Sequence, residues 1–145
     1  MKNILTTKEL EKHVHTLYGR IKRLAQSDGV YRELNDYFDV GTPRGIDGSF
    51  CYSDEKGYHY GVNERGQLIT NFTTQSLVEI VYAVISSEIL WMAHDYERQH
   101  RIMGEDSRRQ LFQKMMKYWN TIGGDYAERA KQDINETLIK APFID

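Results

Sequence analysis

Apolar residues recur along this chain with two periods, one helical and one strand-like, and the places where the period changes mark its elements. The longest periodic run begins after Thr74 and extends to Phe112. Leu77, Val81, Val84 and Trp91 trace one row on it at helical spacing, and Val78, Tyr82, Ile85, Ile89, Met92 and Tyr96 trace a second. A helix that is apolar on more than one side is central in its fold, so this one is expected to be the buried rod against which the rest packs. Past Ala93 the run turns polar, through His94, Asp95, Glu97, Arg98, His100 and Arg101, then Gly104, then Glu105, Asp106, Arg108 and Arg109. The rod is expected to end in a dense cluster of charge.

Upstream, Thr6 and Glu9 have the spacing of a capping box and open a first helix. Leu10, Val14, Leu17, Ile21 and Leu24 give it one narrow apolar stripe, and it should end near Ser27, Asp28 and Gly29. From Val30 to Lys56 aromatic residues are scattered among glycine, proline and aspartate, which predicts mainly loop, with short strands over Leu34–Val40 and Ser49–Ser53. Tyr58–Asn63 alternates as a strand, Glu64, Arg65 and Gly66 form a turn, and Gln67–Thr73 returns as its partner. Thr73 or Thr74 is expected to cap the long helix.

Downstream, a helix from Glu105 to about Thr121 carries Leu111, Met115, Tyr118 and Ile122 on one side, with Asp106 near its start where an acid suits the macrodipole. Gly123 and Gly124 break it. Asp125 and Glu128 have capping-box spacing and open a last helix to about Lys140, closed by Pro142. Helix, short strands and then helices argue an α+β fold: an N-terminal helix, a small antiparallel sheet with a β-hairpin, and a helical C-terminal half around the long buried helix. At 145 residues, with no repeat or linker, residues 1–145 are expected to form a single domain.

Composition narrows the chemistry. Cys51 is the only cysteine, so no intramolecular disulfide forms and a cysteine-rich metal site is excluded, which fits a reducing compartment. The N-terminus lacks a signal-like apolar stretch, and Glu79, Ser86, Ser87 and Glu88 interrupt the one candidate membrane span, so a cytoplasmic protein without a membrane partner is expected. Net charge is −2, unevenly spread: six basic against two acidic residues up to Arg23 leave that segment at +4, whereas seven acids against three bases between Asp28 and Lys56 make −4. The acidic stretch would repel nucleic acid and attract a basic partner, although charged loops also simply keep proteins soluble. The five histidines fall at spacings unsuited to sharing a metal, Cys51 has no nearby cation cluster to activate it, and no carboxylate pair is placed for acid–base work; neither catalysis nor a cofactor is expected. Glu97 and Arg101, at i and i+4, belong with Tyr96, Asp106, Arg108 and Arg109 to a polar knot. It reads as an internal network holding a helix corner, or else as an exposed arginine cluster that grips a phosphate or carboxylate.

Tyr58-His59-Tyr60, Glu64-Arg65-Gly66, the Thr-Thr before the long helix, Met92-Ala93, Tyr96-Glu97, Arg101-Ile102, Gly104, Asp106, Arg108-Arg109 and Phe112, with the ending Ala141-Pro142-Phe143 and Asp145, resemble in order and spacing the immunity protein 63 family of bacterial polymorphic toxin systems. The likeness spans roughly Tyr58 to Asp145. It implies a small protein without catalysis that binds and blocks the C-terminal toxin domain of a cognate toxin, as in contact-dependent growth inhibition. The resemblance also assigns Tyr96, Glu97, Arg101, Asp106, Arg108 and Arg109 to a shared structural motif. The stretch Val30–Tyr60 departs most from the family and is where specificity for the toxin is expected. If the toxin is a basic nuclease, Asp36, Asp39, Asp47, Asp54 and Glu55 would stand in for phosphates, and Tyr37, Phe38, Tyr52 and Tyr58 would be the anchors. The alternatives are an unrelated protein-interaction or regulatory domain, which would not be encoded beside a toxin that it binds, and a small enzyme, which would need a pocket with convergent titratable groups.

Overall fold

Local sequence sets the elements of the chain, for which a computed structural model describes residues 3–145 apart from the side chain of Thr70. Among the described residues, besides a 3-10 turn at Pro43–Gly45, they are α1 (Thr7–Gly19), α2 (Lys22–Ser27), β1 (Gly48–Asp54), β2 (Gly57–Glu64), β3 (Gln67–Thr74), α3 (Leu77–Gln99), α4 (Ser107–Ile122) and α5 (Gly124–Lys140). The fold is α+β, with an N-terminal helix, a small antiparallel sheet and a helical C-terminal half. Two compact units are formed, one from residues up to Thr16 with Glu33–Ile85, the other from Leu17–Arg32 with Ser86–Asp145, so that α1 and α3 each contribute to both.

In the first unit the capping box is reciprocal: Thr6 N donates to Glu9 Oε1 at 2.9 Å and Glu9 N donates to Thr6 Oγ1 at 3.2 Å. Leu10 and Val14, one turn apart on α1, are fully buried. The strands lie in the order β1-β2-β3, all antiparallel. Two two-residue turns join them. Asp54 pairs with Gly57 across the first and Glu64 with Gln67 across the second. Arg65 (φ 53°) and Gly66 (φ 76°) both take the left-handed conformation that the second turn demands, and Asp47 Oδ1 accepts from Arg65 N at 2.8 Å. The strand predicted over Leu34–Val40 is not formed. Only Tyr37 bridges, in parallel to Phe50, because Gly41, Pro43 and Gly45 turn the chain away immediately afterwards. The long helix is capped by Ser76, whose Oγ accepts from Glu79 N at 3.2 Å, while Thr74 finishes β3.

In the second unit the predicted first helix is broken. A turn at Arg20 and Ile21 separates α1 from α2 and rephases the apolar stripe, so Ala25 is buried and Leu24 only half-buried. Arg20 Nη1 donates to the carbonyl of Ile122 at 2.7 Å, satisfying the open end of α4. The C-terminal half of α3 buries Ile89, Met92, Ala93 and Glu97, one face at steps of three and four. Leu90 and Trp91 are 37% and 47% exposed, so here the helix is amphipathic, not apolar all round. By length and hydropathy α3 would suit a membrane span, yet five of its apolar side chains, Ile80, Val81, Val84, Ile85 and Ile89, are at most 1% exposed within protein. Gly123, not Asp125, precedes α5, and no side chain caps that helix; the positive φ of 90° that breaks the chain there places Asp125 inside the first turn.

Gly61 marks the tightest packing on the sheet. A Cβ there would lie 2.5 Å from Phe50 Cζ and 2.9 Å from Leu68 Cδ1. Gly61→Ala should therefore cost about 1–3 kcal/mol in urea unfolding, as overpacking does. In a Phe50→Ala background the same change should cost clearly less; an equal cost in both would mean that the ring is not what fills the space.

Candidate functional site

Strand alternation divides the sheet of the first unit into two faces. Cys51 and Tyr58 point inward and are 0% and 1% exposed; Phe50, Tyr52, Asp54 and His59 occupy the opposite face. Tyr52 lies directly across from His59, the rings stacked with centroids 4.6 Å apart, and Phe50 follows Tyr52 at 6.3 Å. His59 is held from both sides, its Nδ1 2.9 Å from Thr73 Oγ1 and its Nε2 2.8 Å from Asp54 Oδ1. That bond, with a further one from Lys56 N, holds the Asp54 carboxyl below its usual range, so it is ionised at neutral pH. Beside it a cleft of about 480 Å³ is lined by Ile4, Leu5, Thr6, Thr7, Ser53, Asp54 and Glu55.

The residues predicted for toxin binding do not all reach this face. Tyr52, Asp54 and Glu55 do, while Asp47 is exposed at the Arg65 turn and Asp39 is exposed with its carboxylate on its own neighbour, Val40 N. Asp36 turns inward instead. Ser49 Oγ donates to it at 2.6 Å, and burial raises its pKa. Tyr58 belongs to the core, its hydroxyl accepting from Leu5 N at 2.9 Å, so it has no surface to offer a partner. Tyr37 and Phe38 are half-buried, Tyr37 against Gly48 and Phe38 5.7 Å from the ring of His15. Burial and the charge of Asp36 push the Cys51 thiol up to about 12, which leaves no thiolate at neutral pH. Among the described residues no group of three His, Cys, Asp or Glu side chains could hold a metal ion.

The polar knot, in the second unit, resolves into two parts. Glu97 is 3% exposed and takes both a 3.1 Å and a 2.7 Å bond from Arg101, which sits just beyond the end of α3. Asp106 caps α4, accepting from Arg108 N at 3.0 Å and from Arg108 Nη2 at 2.8 Å. Arg108 also donates to the carbonyls of Ala141 and Pro142, both at 2.8 Å. The C-terminal segment is thereby strapped to the start of α4: Ile144 N donates to Asp106 Oδ2, Asp106 N donates to Asp145 Oδ1, Arg109 pairs with Asp145, and its guanidinium lies 4.2 Å from the Phe143 ring. Tyr96 joins neither part; it stacks on His100 at 4.1 Å and lies under the ammonium of Lys114 at 3.8 Å.

A model of the immunity protein 63 family matches residues 54–136. The chain belongs to that family. Comparisons with curated proteins and with solved structures return no match. The part of this immunity protein 63 chain covered by the family model holds Asp54, Glu55 and Tyr58, and the whole of Tyr96, Glu97, Arg101, Asp106, Arg108 and Arg109; Asp36, Asp39, Asp47 and Tyr52 lie before it.

Two arrangements escaped sequence reading. Lys114 lies on the buried row of α4 and is 6% exposed, with its amine 3.0 Å from Asp28 Oδ2, which also accepts from Tyr118 Oη at 2.8 Å. A lysine three residues after Leu111 and four before Tyr118 was the signal. His59 was the other, opposite Tyr52 once the short turn at Glu55 and Lys56 fixes the register.

Hydrogen bonds from Arg108 hold the Asp106 carboxyl far below its usual range, and the bond from Asp106 N lowers that of Asp145. A carboxylate with a depressed folded pKa stabilises the fold in full above its ordinary value, and that contribution disappears as pH falls through the lower, folded one. Asp106→Asn should therefore lower the urea midpoint at neutral pH, and the gap to the parent protein should narrow as pH falls below about 4 and still be open at about pH 2. A gap independent of pH would show that the charge of Asp106 contributes nothing.

Proposed function

We propose that this chain is an immunity protein that binds and neutralises the C-terminal toxin domain of a cognate bacterial polymorphic toxin in the cytoplasm of the producing cell. The observation that carries the reading is the family match over residues 54–136. An immunity role needs binding, not catalysis. The burial of Cys51, whose thiol is pushed up to about 12, and the engagement of His59 on both ring nitrogens accord with that.

The toxin-binding surface in this reading is the outer sheet face. Phe50, Tyr52 and His59 supply stacked rings, and Asp54 and Glu55 supply negative charge beside them for a basic, nuclease-like partner, while the exposed Asp39 and Asp47 add to the negative charge of the same unit. Asp36 and Tyr58 drop out of the earlier set because they face inward. Glu97, Arg101, Asp106, Arg108 and Arg109 act as scaffold, since their polar atoms are turned on one another and on the C-terminal segment.

Co-expression with the C-terminal domain encoded immediately upstream tests the role: growth should be rescued and the two proteins should co-purify. A toxic neighbour that is neither bound nor neutralised would overturn it. Replacing Asp47, Asp54 and Glu55 together by Ala should slow association about tenfold at low salt and flatten its salt dependence. An unchanged on-rate would remove the acids from the interface.

A further inference from the structure

We propose that the outer edge of β3 takes up an extended strand of the toxin domain, so that the partner's backbone continues the sheet; this rests on the immunity reading above. The two edges of the sheet are treated differently. At β1 the chain covers its own edge, with Tyr37 N donating to Ser49 O at 2.9 Å and Cys51 N donating to Tyr37 O at 2.8 Å. At β3, among the described residues, no backbone group pairs on the side away from β2. An open edge is a row of unmet donors and acceptors, and proteins that keep such an edge to themselves place charge or proline on it. The strand Gln67–Thr74 reads QLITNFTT, without a charged residue or a proline. It instead exposes Leu68 at 53%, Ile69 at 59% and Phe72 at 37%.

The chemistry of the edge specifies its occupant. What fits is an extended backbone whose side chains beside Ile69 and Phe72 are apolar. A second copy of this chain fits poorly. The pairing of β3 with β2 jumps from Val62↔Thr70 to Asn63↔Leu68, which leaves Ile69 as a bulge. A two-fold antiparallel pairing of β3 with itself would meet that bulge at both ends, leaving only the five residues Thr70–Thr74 regular. A ladder of that length falls well short of the ~1,000 Å² that a specific interface needs. A strand of a larger domain has no such limit, because the edge runs into the proposed binding face: Leu68 lies over Gly61 beside the Phe50 ring. A toxin seated on Phe50, Tyr52 and His59 would reach β3 without leaving the surface.

Residue-resolved amide hydrogen exchange on the whole chain, alone and with the C-terminal domain encoded immediately upstream, tests this. In the complex, alternate amides of Thr70–Thr74 should slow by about 100-fold relative to the free chain. A complex that leaves those amides unchanged would overturn the edge proposal and leave the immunity reading standing. Failure of both complex formation and rescue would remove the two together. Slowing in the free chain that disappears on dilution would assign the edge to a second copy, and the proposal would again fall.

Discussion

Strand register is the constraint on which the candidate binding face depends. The two-residue turns at Glu55–Lys56 and Arg65–Gly66 pin three strands so that Tyr52 meets His59 and Cys51 meets Tyr60. A slip of one residue would exchange the faces, sending Cys51 and Tyr58 to solvent and the rings of Phe50 and Tyr52 to the core. Three contacts resist it. Tyr58 Oη is fixed to Leu5 N, Ser53 Oγ to Leu5 O and Asp47 to Arg65 N, each fitting one register only. Gly61 adds a steric condition, since only a residue without a side chain leaves room there for the ring of Phe50. The same residues that hold the sheet thus decide which side chains a partner can meet.

The second unit is organised by a different rule, that a buried or half-buried charge must be answered by hydrogen bonds. Glu97 is answered by Arg101, Lys114 by Asp28, and Asp106 by Arg108. Lys114 lies among the aromatic faces of Tyr96 and Tyr118, where its stem packs and its ammonium gains from both rings. Burial and the Asp28 carboxylate push the Tyr118 hydroxyl well above its ordinary range, so it remains a donor at any pH the protein meets. These pairs specify geometry more than they add stability. Their directional bonds fix the corner between α3 and α4 and the path of the C-terminal segment, where apolar contacts would tolerate sliding.

What was legible in the sequence was what neighbouring residues decide among themselves. The Thr6–Glu9 box, the Arg65–Gly66 turn, the Asp106 cap and the apolar row Leu111, Tyr118 and Ile122 all depend on spacings of a few residues. Asp28 and Lys114 are 86 residues apart, and Asp106 and Asp145 are 39 apart; no local period announces such pairs. Trp91 misled for another reason: apolar character is not burial, and a helix can carry a tryptophan on its open side, here 5.7 Å from the guanidinium of Arg32. For Asp36 and Tyr58, composition identified the acidic, aromatic stretch, but which of its residues face outward follows from register, which composition does not contain. The family resemblance was legible because it rests on the order of short motifs, and the matched segment, residues 54–136, lies within the hairpin and helices that those motifs punctuate.

In the proposed interface, charge and rings would act at different stages. Asp47, Asp54 and Glu55 are partly or fully exposed, and the depressed pKa of Asp54 keeps it ionised, so together they present a negative field to an approaching basic domain. That field extends about 8 Å at physiological salt and acts mainly on the rate of encounter. Once contact is made, affinity depends on surfaces that can be desolvated without being reordered. The stack of Phe50, Tyr52 and His59 meets that condition, because each ring is already held by its neighbour and His59 is held from both sides by Thr73 and Asp54. Asp54 serves both stages: its charge would guide the partner in, and its bond to His59 would hold the surface that keeps the partner there.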